Sequence, residues 1–169
     1  MMTPMRKLSY ISILIATAAF AVTGRADTLG ERMDVTATVV ANCRLTVPSL
    51  TFGAYDPLVA HSAQPDDAST ILIVNCTRNT SAYVALDFGH NAVSNGDRAM
   101  AGPGSVRLEY QIYRDAARSQ VWATGTDAVR FFSRGVTNPE QLTVFGRILP
   151  RQEVEPGAYL DVLTATVDF

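Results

Sequence analysis

Between residues 33 and 169 the chain rarely runs a dozen residues without a turn signal. Between the signals its apolar residues recur every second position. That period belongs to β-strands lying over a core, not to helices, whose apolar faces repeat every three to four residues. Met33, Val35, Ala37 and Val39 alternate with Asp34, Thr36 and Thr38. Leu45 to Val47 and Leu50 to Tyr55 read as short β segments either side of Pro48. Thr70 to Asn75 is a β-branched run suited to a central strand buried on both faces. Tyr83 to Phe88, Val106 to Arg114, Val121 to Ala123, Leu142 to Leu149 and Tyr159 to Phe169 complete the set. In the last run Leu163, Ala165, Val167 and Phe169 share one face. Asn95-Gly96-Asp97, Gly102-Pro103-Gly104 and Pro156-Gly157 punctuate these runs. Only Asp115 to Arg118 hints at helix, and it is too short to be more than a turn. Seven or eight short strands predict an antiparallel Greek-key sandwich.

The first residues read as an export signal. Arg6 and Lys7 precede an apolar run from Leu8 to Val22, and Gly24 and Ala26 supply small residues for cleavage after Ala26. The run is shorter than the ~20 residues a spanning helix requires. Residues 1–26 are therefore expected to be removed, leaving a chain of a size for one domain with its own core. The whole sequence carries 14 basic and 16 acidic residues. Losing the basic leader makes it more acidic, which gives no electrostatic reason to hold nucleic acid or an anionic membrane. Every basic residue after Lys7 is arginine; none cluster, and they read as solvated strand-face residues. Cys43 and Cys76 are the two cysteines, and an even pair in an exported chain predicts a disulfide.

The sequence assembles no catalytic constellation. His61 and His90 lie beside turns, near Asp56 and Asp66, without the spacing of a metal site. Asp66-Asp67 after Pro65 reads as a polar loop rather than an acid–base pair. There is no nucleophile elbow and no phosphate loop, so no cofactor, metal or small-molecule substrate is expected. The acceptor patterns at Asn75 and Asn79 are read as coincidence. Tyr110, Tyr113, Phe131 and Phe132 are read as core, with a ligand groove as the alternative. The unusual feature lies at the two ends, where amphipathic strand patterns stand at positions that ordinarily fray. The first of them either pairs within its own domain or completes a sheet in a neighbour.

Several stretches resemble the spore coat protein U domain family, which includes subunits of archaic (Csu-type) chaperone–usher pili. They are Asn42-Cys43, Leu50-Thr51-Phe52-Gly53 with Tyr55, Val74-Asn75-Cys76, Tyr110 to Arg118, Val144 to Ile148, and Pro156 to Phe169. The resemblance implies an incomplete immunoglobulin-like Greek-key sandwich that lacks its final strand. It implies an N-terminal donor segment over residues 27–41, with Leu29, Met33, Val35, Ala37 and Val39 facing inward, ahead of a pilin domain over 42–169. Leu163, Ala165, Val167 and Phe169 would border the acceptor groove, and Cys43–Cys76 would match the family's disulfide. Ala37 is smaller than expected in mid-strand, and Arg151-Gln152-Glu153 is given no role. The implied partners are a periplasmic chaperone, an outer-membrane usher and other pilin subunits. The implied destination is the periplasm and then a cell-surface pilus, as a rod or adaptor subunit serving adhesion and biofilm formation. The alternatives are a self-contained secreted sandwich holding a carbohydrate on loop aromatics, and a coat or matrix protein sharing the domain.

Overall fold

The computed structural model describes residues 24–94 and 96–169. The predicted leader therefore lies almost wholly outside the described residues, as does Asn95 of one predicted turn. The chain divides into two units, up to Ala37 and from Thr38 onward. In the first, residues 24–37 form no helix or strand and every side chain is exposed. All eight strands among the described residues belong to the second. Among the described residues no helix is long and apolar enough to cross a membrane.

The strands are β1 (Cys43–Thr46), β2 (Asp66–Cys76), β3 (Ser81–Leu86), β4 (Arg98–Ala101), β5 (Arg107–Tyr113), β6 (Val129–Phe132), β7 (Glu140–Ile148) and β8 (Ala165–Asp168), with one short 3-10 turn at Gly125–Asp127. They make two antiparallel sheets, in the orders β1-β2-β7-β5-β4 and β6-β3-β8. An immunoglobulin constant-type sandwich places strands A, B, E and D in one sheet and C, F and G in the other. Taken in chain order, β1-β2-β7-β5 reproduces A-B-E-D and β3-β8 reproduces C-F. The position of G, beside β8 on the side away from β3, is unfilled among the described residues. The fold is all-β, an immunoglobulin-like sandwich.

Alternation sets each strand's inner face. Leu72, Val74 and Cys76 of β2, Ala82, Val84 and Leu86 of β3, Leu108, Tyr110 and Ile112 of β5, and Val144 and Ile148 of β7 are all buried. Trp122 lies at the centre, fully buried, and donates its indole N–H to Val84 O at 2.9 Å. The predicted disulfide is formed, between the paired positions Cys43 and Cys76 that open β1 and close β2.

The structure corrects several expectations. Residues 33–39 and 50–55 form no strand, because neither stretch has a partner strand alongside it. The two acids Asp66 and Asp67 lie inside β2, paired with Ile148 and Arg147 of β7, and are not loop. Ile71 and Ile73 face solvent, so β2 is covered on one face only. Val121 to Ala123 contributes a single bridge, Val121 to Tyr113. Of the last run, only Ala165–Asp168 is strand. Phe132 is 61% exposed on the outer face of β6 and does not fill the core.

Arg98 departs furthest from the reading of solvated arginines, being fully buried. Its guanidinium donates to the carbonyls of Asp87, Leu86 and Trp122 and to the side chain of Gln111. Those acceptors lie on both sheets and on the Trp122 segment, so one side chain ties the layers together. Burial pulls its pKa below the ordinary arginine value, with Tyr110, Asp87 and Asp161 acting in opposition.

Candidate functional site

A groove of about 420 Å³ opens between the sheets along the unfilled edge. Its floor is the inner face of the sandwich: Leu72 of β2, Leu86 of β3, Met100 of β4, Ile112 of β5 and Val144 of β7. One wall is residues 47–52, which follow β1, and the other is residues 159–163, which lead into β8.

The first wall sits where it does because β7 carries Gly146. A Cβ there would stand 2.6 Å from Phe52 Cζ and 2.7 Å from Leu50 Cδ2, so the missing side chain is the space those two residues occupy. Phe52 also meets Tyr110 edge to face, ring centroids 6.0 Å apart. The wall is held by side chains alone: the backbone of residues 47–54 makes no hydrogen bond to any described residue.

The second wall is half paired. Leu160 exchanges two backbone bonds with Ala101, Val162 O accepts from His90 N, and Thr164 O accepts from Asp87 N. The backbone groups of Asp161 and Leu163, which alternate with these, find no backbone partner among the described residues. This leaves an open strand edge of the kind that templates another strand. Asp161 is the one carboxylate in the groove, and it is satisfied. It accepts from Tyr110 Oη at 2.8 Å and from the backbone and side chain of Asn91 at 3.1 and 3.0 Å. Burial and this donation push the Tyr110 phenol well above its usual range.

The two walls are fastened beyond the groove. Tyr55, three residues past Phe52, donates to Leu149 O at 2.7 Å and accepts from Gln152 N at 3.0 Å. Gln152 in turn bonds both backbone groups of Glu109 at 2.7 Å. Gln152, given no role from sequence, thus joins the connection between β7 and β8 to β5. His61 stacks on Tyr55 and accepts from Asp56 N at 3.0 Å, so it is packed rather than solvated. Among the described residues no three potential metal ligands come together.

Of the residues expected to border a groove, Leu163 lines it. Ala165 and Val167 pack against the core from β8, whose outer edge has no partner strand among the described residues, and Phe169 is exposed. Leu29, Met33, Val35 and Val39 are 83% to 96% exposed, and Ala37 is exposed as well. Val47, Leu50, Phe52, Leu160 and Val162 were not singled out as groove residues from sequence. The alternation of Leu50 with Phe52 marked them as apolar, but nothing local marks which cavity they line.

The sequence matches the family model described as the Spore Coat Protein U domain over residues 30–166. Protein U of Myxococcus xanthus is 32% identical over 130 residues, covering 72% of each chain. Among solved structures, the fold is similar to a chain in the crystal structure of the CsuC–CsuE chaperone–tip adhesion subunit pre-assembly complex from archaic chaperone–usher Csu pili of Acinetobacter baumannii. The TM-score is 0.54 at 28% identity, over 78% of this chain. The present chain spans 40% of the length of that one.

Proposed function

The chain belongs to the Spore Coat Protein U domain family, and from that premise we propose that it is a structural, non-catalytic subunit of an archaic chaperone–usher pilus. The observation that carries the reading is the unfilled strand position beside β8, opening on an apolar groove. A sandwich in this state exposes core side chains and unpaired backbone together, which invites aggregation until a strand is supplied. Residues 27–41 hold an alternating apolar segment with no strand partner of its own, and the inward set Leu29, Met33, Val35, Ala37 and Val39 would enter the groove of a neighbouring subunit. Backbone bonds to β8 and the second wall then give strength, and alternate side chains fill the groove. The contact is head to tail, a geometry that propagates into open filaments.

On this reading residues 1–26 are an export signal and residues 42–169 the pilin domain. A periplasmic chaperone fills the groove first, and an outer-membrane usher hands it to the next subunit. The chain ends in a surface pilus as a rod or adaptor subunit with a part in adhesion and biofilm formation. The similarity to a chaperone–subunit complex supports these partners. Deleting residues 29–39 tests the reading: the shortened chain is expected to bind its chaperone and accept a strand but to donate none, ending every filament it enters. Filaments of normal length from the shortened chain would overturn it. A coat protein is the second reading, supported by the description of the matching family model as a spore coat protein domain; filaments absent from cells that export the intact chain would favour it.

A further inference from the structure

We infer that the Cys43–Cys76 bridge is a tension bypass, which keeps a pull on the donor segment from reaching the chain's own acceptor groove. The inference rests on the donor-and-groove reading above. It follows from the order of three features along the chain. The exposed alternating segment precedes Cys43, the first groove wall at residues 47–52 follows it, and the bridge closes back to Cys76. The donor segment is therefore outside the covalent loop, and the wall is inside it.

Without the bridge, a pull on residue 42 meets little resistance. It first breaks the bonds between Asn42 and Thr77, at 3.1 and 2.9 Å. It next reaches β1, whose ladder to β2 is only four residues long and opens from its Cys43 end one pair at a time. Beyond β1 comes the wall itself, which has no backbone hydrogen bond to the described residues and is held by side-chain packing, Leu50 and Phe52 over Gly146 and Phe52 against Tyr110. A pull on the outgoing strand would thus strip one side of the groove that holds the incoming strand, and one loaded junction would loosen the next.

With the bridge in place, tension crosses from Cys43 to Cys76 through sulfur. It enters the end of β2, whose ladder to β7 runs over nine paired positions from Asp66 to Val74. It also passes along the chain through Thr77 into β3. Residues 44–65, the wall among them, lie off this path and remain slack, so the wall stays on Gly146 whatever the load on the donor segment.

The experiment is single-molecule pulling on the exported chain carrying a fluorescent synthetic peptide of residues 29–40 in its groove. After cleavage at Ala26 the chain contains no lysine, so amine chemistry attaches the tether at the N-terminus alone. A handle at the other end completes it. Reduction after peptide loading is compared with the oxidised chain and with a Cys43→Ala/Cys76→Ala variant. Without the bridge, peptide release under tension is expected to speed up about tenfold or more, while release at zero force changes less than about twofold. The sequence separation of 33 residues adds about 110 Å of extension as the loop opens, at ~3.4 Å per residue. Equal release rates under tension with and without the bridge would overturn the inference. So would a reduced chain that already loses its peptide unloaded, since the bridge would then only stabilise the fold. An oxidised chain that never binds the peptide would instead overturn the groove reading. Should the double variant fail to fold, reduction of the loaded wild-type chain decides the matter alone.

Discussion

Gly146→Ala is the sharpest test of how the groove wall is held. Gly146 is not among the residues with positive φ, so its backbone suits any side chain and the requirement is one of space. The added methyl would lie 2.6 Å from Phe52 Cζ and 2.7 Å from Leu50 Cδ2. Apolar carbons rest at ~3.5–4.0 Å, so the overlap with each is about 1 Å. Overpacking of this kind costs ~1–3 kcal/mol. Loss of glycine's freedom in the unfolded chain returns ~0.4–1 kcal/mol. The net expectation is a loss of about 1–2 kcal/mol. The backbone of residues 47–54 has no hydrogen bonds to defend it, so the strain should be relieved by moving the wall rather than β7. Urea unfolding reports the loss through the fluorescence of Trp122, the single tryptophan, which is fully buried. A shifted midpoint at constant slope identifies a change in stability. The affinity for a peptide of residues 29–40 should fall in parallel. Phe52→Leu removes the ring atoms nearest the new methyl, so the double variant should recover ~0.5–1 kcal/mol relative to additivity. Gly146→Ala with wild-type stability and peptide affinity, or a strictly additive double variant, would refute the account of the wall.

Two further substitutions probe the ties behind the groove. Arg98→Lys keeps the charge but loses the fork that reaches the carbonyls of Leu86, Asp87 and Trp122. Leaving buried acceptors unpaired costs ~1–3 kcal/mol each, so Arg98→Lys should lower the urea midpoint severely, whereas Arg130→Lys on the exposed face should barely move it. Asp66 lies buried at the start of β2, its Oδ2 without a partner among the described residues, and burial raises its pKa above the ordinary carboxylate value. A folded-state pKa above the unfolded one means that the contribution of Asp66 to stability is fully present below the unfolded carboxylate pKa and is lost as pH rises through the folded value. Asp66→Asn should therefore be more stable than the wild type at pH 7, with the advantage vanishing at about pH 3.5; an advantage independent of pH would show that the charge is not the cause.

Much of the fold was legible in the sequence because burial on one face leaves a period-two record. Leu108, Tyr110 and Ile112 alternate with Arg107, Glu109 and Gln111 and were readable as a strand before any partner was known, whereas Thr70 to Asn75, apolar on both faces, was readable as a strand but not as one covered on a single face. The cysteine pair was readable from export and parity. The same signal misled where pattern and pairing part company. Residues 33–39 alternate as cleanly as any strand in the chain yet pair with nothing described. Asp66 to Ser69 is mostly polar and nonetheless pairs along β7 with Ile148, Arg147, Gly146 and Phe145, because backbone hydrogen bonds do not depend on side-chain type.

The sequence by itself determined that the chain makes strands, that it staples one pair of them with a disulfide, and that it carries an alternating segment ahead of the staple. All three follow from local periodicity and residue chemistry. Only the tertiary structure decided that the sheets leave the place beside β8 empty, that residues 47–52 become a wall by resting on Gly146, and that Arg98 lies buried among carbonyls. Those outcomes depend on which surfaces meet across the sandwich. Contacts between residues far apart in the chain carry no local signature: a missing methyl at position 146 acquires meaning only when Phe52, far away in sequence, arrives to fill its space.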